Sequence, residues 1–201
     1  ALLEKGVPFE EVPFFAGNSP EALAISPRGK VPALGVEQGF INETSVILEY
    51  IEQTQAGLRL LPVDPFERAQ VLALAKEIEL YIELPARACY PEAFFGMQVP
   101  DAIKEKARTE LLDGIASLGR HGKFAPYVAG ETLSVADIYF AFSVDLACGV
   151  AHNVFGLDLL ADMPGAKALL ERLQQNPHVQ KIAADKDAAM PQFLAWISSK
   201  K

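Results

Sequence analysis

Residues able to do chemistry gather in two short stretches near the start of the chain. Ser26-Pro27-Arg28-Gly29-Lys30-Val31-Pro32-Ala33-Leu34 opens an apolar strand on a proline, which cannot donate to a sheet ladder. A cis bond at Val31–Pro32 accounts for that placement, because it turns the Val31 backbone outward instead of into the sheet. Asn42-Glu43-Thr44-Ser45-Val46-Ile47 follows. It puts an acid and a hydroxyl at the start of a helical pattern, where free backbone N–H groups attract a carboxylate. An exposed peptide edge, an acid to hold an amine and a helix N-terminus to hold a carboxylate describe one kind of receptor. Its ligand is a small, extended, zwitterionic peptide. Taken alone, Val31–Pro32 also fits an ordinary turn entering an edge strand; the acid and hydroxyl downstream decide against that.

Other reactive-looking groups have structural explanations. Gly114-Ile115-Ala116-Ser117-Leu118-Gly119-Arg120 approaches a phosphate-binding loop, but it ends a helix instead of following a strand, and it has Arg where Lys is needed. His121, His152 and His178 are isolated, with no second ligand at helical spacing, so no metal site is expected. Glu77, Glu79 and Glu83 read as a solvated helix face. Ser134 and Asp137 resemble a catalytic pair, yet their spacing suits a capping box, in which each side chain bonds the other's backbone N–H. The apolar sequence after Ser134 predicts a buried helix whose first donors water cannot reach, so the structural role prevails.

The elements that must carry these residues follow from periodicity and punctuation. Ala1-Leu2-Leu3-Glu4-Lys5 before Gly6 reads as the tail of a helix. So short a stretch cannot nucleate alone, so the start of that helix and a preceding strand are expected upstream of Ala1. Phe9 to Val12 reads as a short strand, and Ser19-Pro20-Glu21 opens a helix. Ala33 to Val36 and Phe40-Ile41 form two strands around the turn Glu37-Gln38-Gly39, and Thr44 to Thr54 is helical. Pro62 and Pro65 mark residues 58–65 as a linker. Beyond it every pattern is helical: Phe66 to Ala88 with Pro85 kinking or ending it, Pro100 to Leu118, Ser134 to Val150 as a central buried helix, Pro164 to Gln175, Pro177 to Ala184 and Pro191 to Ser198. The fold class is therefore α/β followed by all-α.

Composition narrows the partners. A net charge of -8 without any Lys/Arg cluster argues against nucleic acid and anionic membrane surfaces; Arg28 and Lys30 still offer positive charge locally. The apolar run Ile138 to Ala151 is too short to span a bilayer and contains Asp145. Cys89 and Cys148 read as buried free thiols in a reducing, cytoplasmic setting.

The ordered set Lys30-Val31-Pro32, Glu43-Thr44 and the Ser134/Asp137 box, ahead of and within an all-helical second part, resembles the cytosolic glutathione transferases. The resemblance implies a thioredoxin-like glutathione-binding domain over 1–57, N-terminally incomplete with its first strand missing, a linker over 58–65 and an all-helical domain over 66–201. It implies that Val31 pairs its backbone with the cysteinyl part of glutathione and that Lys30, beside Pro32, touches the peptide. Glu43 would bind the γ-glutamyl amine and Thr44 the adjoining carboxylate. Thr44 stands where serine is commoner and keeps the hydroxyl. The catalytic Tyr, Ser or Cys is expected upstream of Ala1, so its identity is unknown. Tyr81, Arg87, Tyr90 and Phe94 are the expected walls of an electrophile pocket. The implied activity is addition of the glutathione thiolate to a hydrophobic electrophile. Glutathione is then the co-substrate, and no other cofactor or metal is implied. A glutathione-dependent thiol–disulfide oxidoreductase or isomerase and a non-catalytic interaction module are the alternatives. A homodimer is expected, with Phe14-Phe15 as an apolar pair that could enter a pocket on the partner subunit or pack beneath its own loop.

Overall fold

The computed structural model describes residues 1–198; residues 199–201 of the expected helical domain lie outside the described residues. The chain divides into two units: Ala1–Arg59 with the segment from Gln180 onward, and Leu60–Val179. The expected linker contains this boundary, but it is not all exposed connection. Leu60 and Leu61 are buried, and the Leu60 carbonyl accepts the Val135 N–H at 2.9 Å.

In the first unit, α1 (Leu2–Lys5) ends at Gly6, as expected. The Lys5 ammonium is buried, donating to the Leu58 carbonyl at 2.8 Å and pairing with Glu52 at 2.8 Å. α2 (Pro20–Ile25) begins on Ser19, whose hydroxyl accepts the Ala22 N–H at 3.2 Å. β1 (Ala33–Val36) and β2 (Gly39–Asn42) form an antiparallel hairpin with Ala33 opposite Asn42. α3 (Thr44–Thr54) packs on that hairpin through the buried Ile47 and Ile51. Phe9 to Val12, expected as a strand, forms none. The sheet among the described residues is two-stranded, so this segment has no ladder partner, and Phe9 and Val12 are exposed.

In the second unit, α4 (Pro65–Ile78) starts on the Asp64 carboxylate, which accepts the N–H groups of Phe66 and Glu67. It runs into a π-helical turn at Glu79–Glu83 and then α5 (Leu84–Arg87). Pro85, expected to kink or end the helix, is accommodated instead. Proline cannot donate to the carbonyl of Tyr81, four residues back, and its ring crowds that carbonyl. The wider turn, in which the Leu84 N–H reaches Glu79, precedes the proline and keeps the chain helical. After α6 (Tyr90–Phe95) comes α7 (Asp101–His121). α8 (Val135–Tyr139), a second π-helical turn at Phe140–Val144 and α9 (Asp145–Phe155) form one continuous helical run. That run is 21 residues and, by length and composition alone, apolar enough to cross a membrane. This is longer than the apolar stretch expected from Ile138 to Ala151. Phe140, Val144, Ala147 and Val150 on it are completely buried, with Ile78, Ile82 and Leu118 around them.

α10 (Pro164–Gln174) is followed by α11 (Pro177–Ser198), a single helix where two were expected; Pro191 sits inside it. From Gln180, α11 belongs to the first unit. Of the two expectations for Phe15, a partner's pocket or packing within its own chain, the second is what the fold shows: its ring stacks on Trp196 at 5.1 Å and lies 6.3 Å from Phe193.

Candidate active site

The hairpin register builds the site. Because Ala33 faces Asn42, the residues just before β1 and just after β2 emerge at one end of the ladder, opposite the turn. Lys30, Val31 and Pro32 arrive there from one side, and Glu43 and Thr44 leave from the other. All five are exposed. Val31–Pro32 is cis, as expected. Ala125–Pro126 is cis as well, which the sequence reading did not anticipate.

Two features fix this end of the hairpin. Ser26 is 2% exposed, and its hydroxyl accepts the Lys30 N–H at 3.0 Å. Gly29 has φ 58°, and a Cβ placed on it would stand 1.8 Å from the Gly17 carbonyl oxygen, so only glycine fits. On the other side, Glu43 has φ 68° and ψ 122°, a backbone state that costs a non-glycine residue about 1–3 kcal/mol. Nothing in the residue type announces this, and sequence reasoning missed it. The Glu43 side chain makes no capping bond to α3, and the start of a helix attracts an anion. An acid held in strained backbone beside a helix N-terminus suits an amine and a carboxylate carried by one ligand.

The residues expected as electrophile walls are not brought into one pocket. Tyr81 lines a groove of about 680 Å³ in the second unit with Leu80, Leu84, Ile103 and Asp113; Arg87, Tyr90 and Phe94 do not line it. Arg87 pairs with Glu83, and the Tyr90 and Phe94 rings meet edge to face at 5.4 Å. The Tyr90 hydroxyl is buried without a hydrogen-bond partner. Burial, then the charge of Glu83, push its pKa up to about 12 against the opposing pull of Arg87.

The acidic trio on α4 and its π-helical turn is not a solvated face. Glu77 accepts the Ser117 hydroxyl and lies 3.1 Å from His121 Nδ1, and Glu83 accepts the Ser143 hydroxyl at 2.6 Å; Glu79 pairs with Lys76 at 2.6 Å. These partners are remote in sequence, so local pattern could not reveal them. The Ser134/Asp137 capping box is present, as expected. The Asp137 carboxylate accepts the Ser134 N–H and hydroxyl, each at 2.8 Å, and additionally the Val128 N–H at 2.8 Å. Burial pushes its pKa up, while these donors pull the other way. Cys89 and Cys148 are free thiols, Cys89 buried and Cys148 only half-buried.

Residues 1–59 match the family described as glutathione S-transferase, N-terminal domain. A glutathione S-transferase of Pseudomonas putida is 63% identical over 201 residues, covering 100% of this chain and 91% of the relative. The chain belongs to the glutathione S-transferase family. Solved structures agree with the transferase fold, a thioredoxin-like domain followed by a helical one. A maleylacetoacetate isomerase of Methylobacterium extorquens with bound malonate and GSH is 28% identical at a TM-score of 0.67, covering 90% of this chain and 86% of that one. The β-etherase LigF of Sphingobium, 23% identical, superposes at 0.72 over 92% of this chain and 91% of its own, and shows the fold alone. In this transferase the hairpin end with Val31–Pro32 and Glu43–Thr44 falls within the matched segment.

Proposed function

We propose that this glutathione S-transferase binds glutathione at the hairpin end and adds its thiolate to a hydrophobic electrophile. The observation that carries the reading is the ladder register, which sets the exposed Val31 backbone beside the strained Glu43 and the start of α3. Val31 pairs with the cysteinyl part of the peptide, and Pro32 holds that edge in place. Glu43 takes the γ-glutamyl amine, the Thr44 hydroxyl and N–H take its carboxylate, and Lys30 touches the peptide from the other side. Residues 1–57 thus form the glutathione-binding domain.

Absorbance assays of the full-length protein, with the residues expected upstream of Ala1, using glutathione and a chlorodinitrobenzene-type aryl halide test this; a folded full-length protein without turnover defeats it. A second reading, glutathione-dependent isomerisation, has support from the likeness to the maleylacetoacetate isomerase. Isomerisation returns glutathione unchanged, whereas conjugation consumes it one for one, so thiol titration during turnover separates the two. We also place the protein in the cytoplasm, where a reducing pool keeps Cys89 and Cys148 as thiols, and as a homodimer. Sedimentation at micromolar concentration checks the latter.

A further inference from the structure

α11 is an unusual helix for its length: none of its residues is buried, and Lys181 to Ala189 are exposed throughout. Its far end is nevertheless held. The Trp196 ring lies 5.1 Å from Phe15 with the planes 19° apart, and 5.8 Å from Phe193 at 25°, forming a three-ring stack. Lys181 adds an ion pair to Glu11 at 3.7 Å. Both attachments fall on the irregular segment between α1 and α2.

That segment is tied directly to the glutathione end of the hairpin. Two residues beyond Phe15, the Gly17 N–H donates to the Gly29 carbonyl at 2.9 Å. The two backbones are so close that a Cβ on Gly29 would overlap the Gly17 carbonyl. Gly29 in turn donates to the Ser26 carbonyl at 2.7 Å, and the Ser26 hydroxyl accepts the Lys30 N–H. An unbroken line of packed rings and backbone bonds therefore runs from Trp196 through Phe15, Gly17 and Gly29 to Lys30 and Val31. With no slack between Gly17 and Gly29, displacing the Phe15 ring displaces the loop that carries the peptide-binding edge.

We propose that α11 is a strap on the glutathione site, with Phe15 and Trp196 as positioning residues that hold the Ser26–Lys30 loop in its binding geometry. The inference rests on the glutathione reading of that site. If docking of Trp196 favours bound glutathione, bound glutathione must favour docking by the same factor. Trp196 is the chain's one tryptophan, so its emission reads the stack directly.

The test is calorimetric titration of reduced glutathione into the full-length wild-type protein and its Phe15→Ala, Trp196→Ala and Phe15→Tyr variants, together with KM and kcat for aryl-halide conjugation. Loss of the stack should weaken glutathione binding about fivefold or more, within the range of ordinary coupling. The glutathione KM should rise with kcat and the electrophile KM unchanged, and Phe15→Tyr should restore it. Glutathione should shift Trp196 emission in the wild type and not in Phe15→Ala. Circular dichroism monitors folding, and Phe15→Leu replaces Phe15→Ala if the latter unfolds. Equal affinity in the wild type and the stack variants overturns the strap alone. A wild type that does not bind glutathione overturns the site reading and the strap with it. A fall in kcat at constant glutathione KM also overturns the strap.

Discussion

Gly114 on α7 lies so close to the Tyr81 carbonyl that a Cβ built on it would stand 2.1 Å from that oxygen. Tyr81 is the residue whose helical partner Pro85 cannot donate, so the π-helical turn, the proline and the glycine form one packing arrangement. Gly114→Ala must push α7 away from backbone, not from a flexible side chain. We expect a loss of about 1–3 kcal/mol in denaturant unfolding, the usual cost of overpacking. A gain in stability, as alanine gives in an unconstrained helix, would contradict the contact.

Glu43 sets stability against function. Glu43→Gly removes the cost of φ 68° and should raise stability by about 1 kcal/mol after the entropy of a freer unfolded chain. The same change removes the acid, and glutathione affinity should fall by roughly 1–3 kcal/mol. Thr44→Ala should lower affinity with no such gain. Thermal melts and calorimetry on both variants check the pairing, and unchanged affinity in both would remove these residues from the site.

Asp137→Ala should damage folding and spare the ligand. An ordinary cap contributes about 0.5–2 kcal/mol. Here three donors lose their acceptor in a site 1% exposed, and each buried donor left unpaired costs about 1–3 kcal/mol. An unchanged melting temperature with collapsed turnover would show that Asp137 is catalytic.

Alkaline pH should unfold the protein early. The pKa values of Tyr90 and Cys148 are each raised to about 12, chiefly by burial, from 10.0 and 9.0. The unfolded chain therefore releases these protons first, and by linkage stability falls as pH rises from about 9 toward 12. Tyr90→Phe deletes one of these groups and an unpartnered buried hydroxyl. It should leave neutral-pH stability level or higher and flatten the alkaline decline. A decline as steep as the wild type's would mean that the Tyr90 hydroxyl titrates freely.

How legible the molecule was depends on the range of the interactions. The hairpin, α3, the cis Val31–Pro32 bond and the Ser134/Asp137 box all come from residues within a few positions of one another, and each was readable. The failures are long-range. Phe9 to Val12 has strand composition but no ladder partner among the described residues. Glu77 and Glu83 look solvated until Ser117, His121 and Ser143 arrive from distant helices. Pro191 reads as a break, yet α11 continues through it. Glu43 differs in kind: its strained backbone is imposed by the passage from β2 into α3, and glutamate itself gives no hint of it.

The buried ammonium of Lys5 joins two positions 53 residues apart, bonding the Leu58 carbonyl while Glu52 neutralises it. Forming such a bond closes a long loop, and closure entropy grows with the enclosed length. We expect it to form late in folding. Contacts of that kind barely change how fast a protein folds and chiefly govern how fast it comes apart. If so, Lys5 and Glu52 act on the lifetime of the native first unit, and Lys5→Met should shorten that lifetime in unfolding kinetics while leaving the refolding rate nearly as it was.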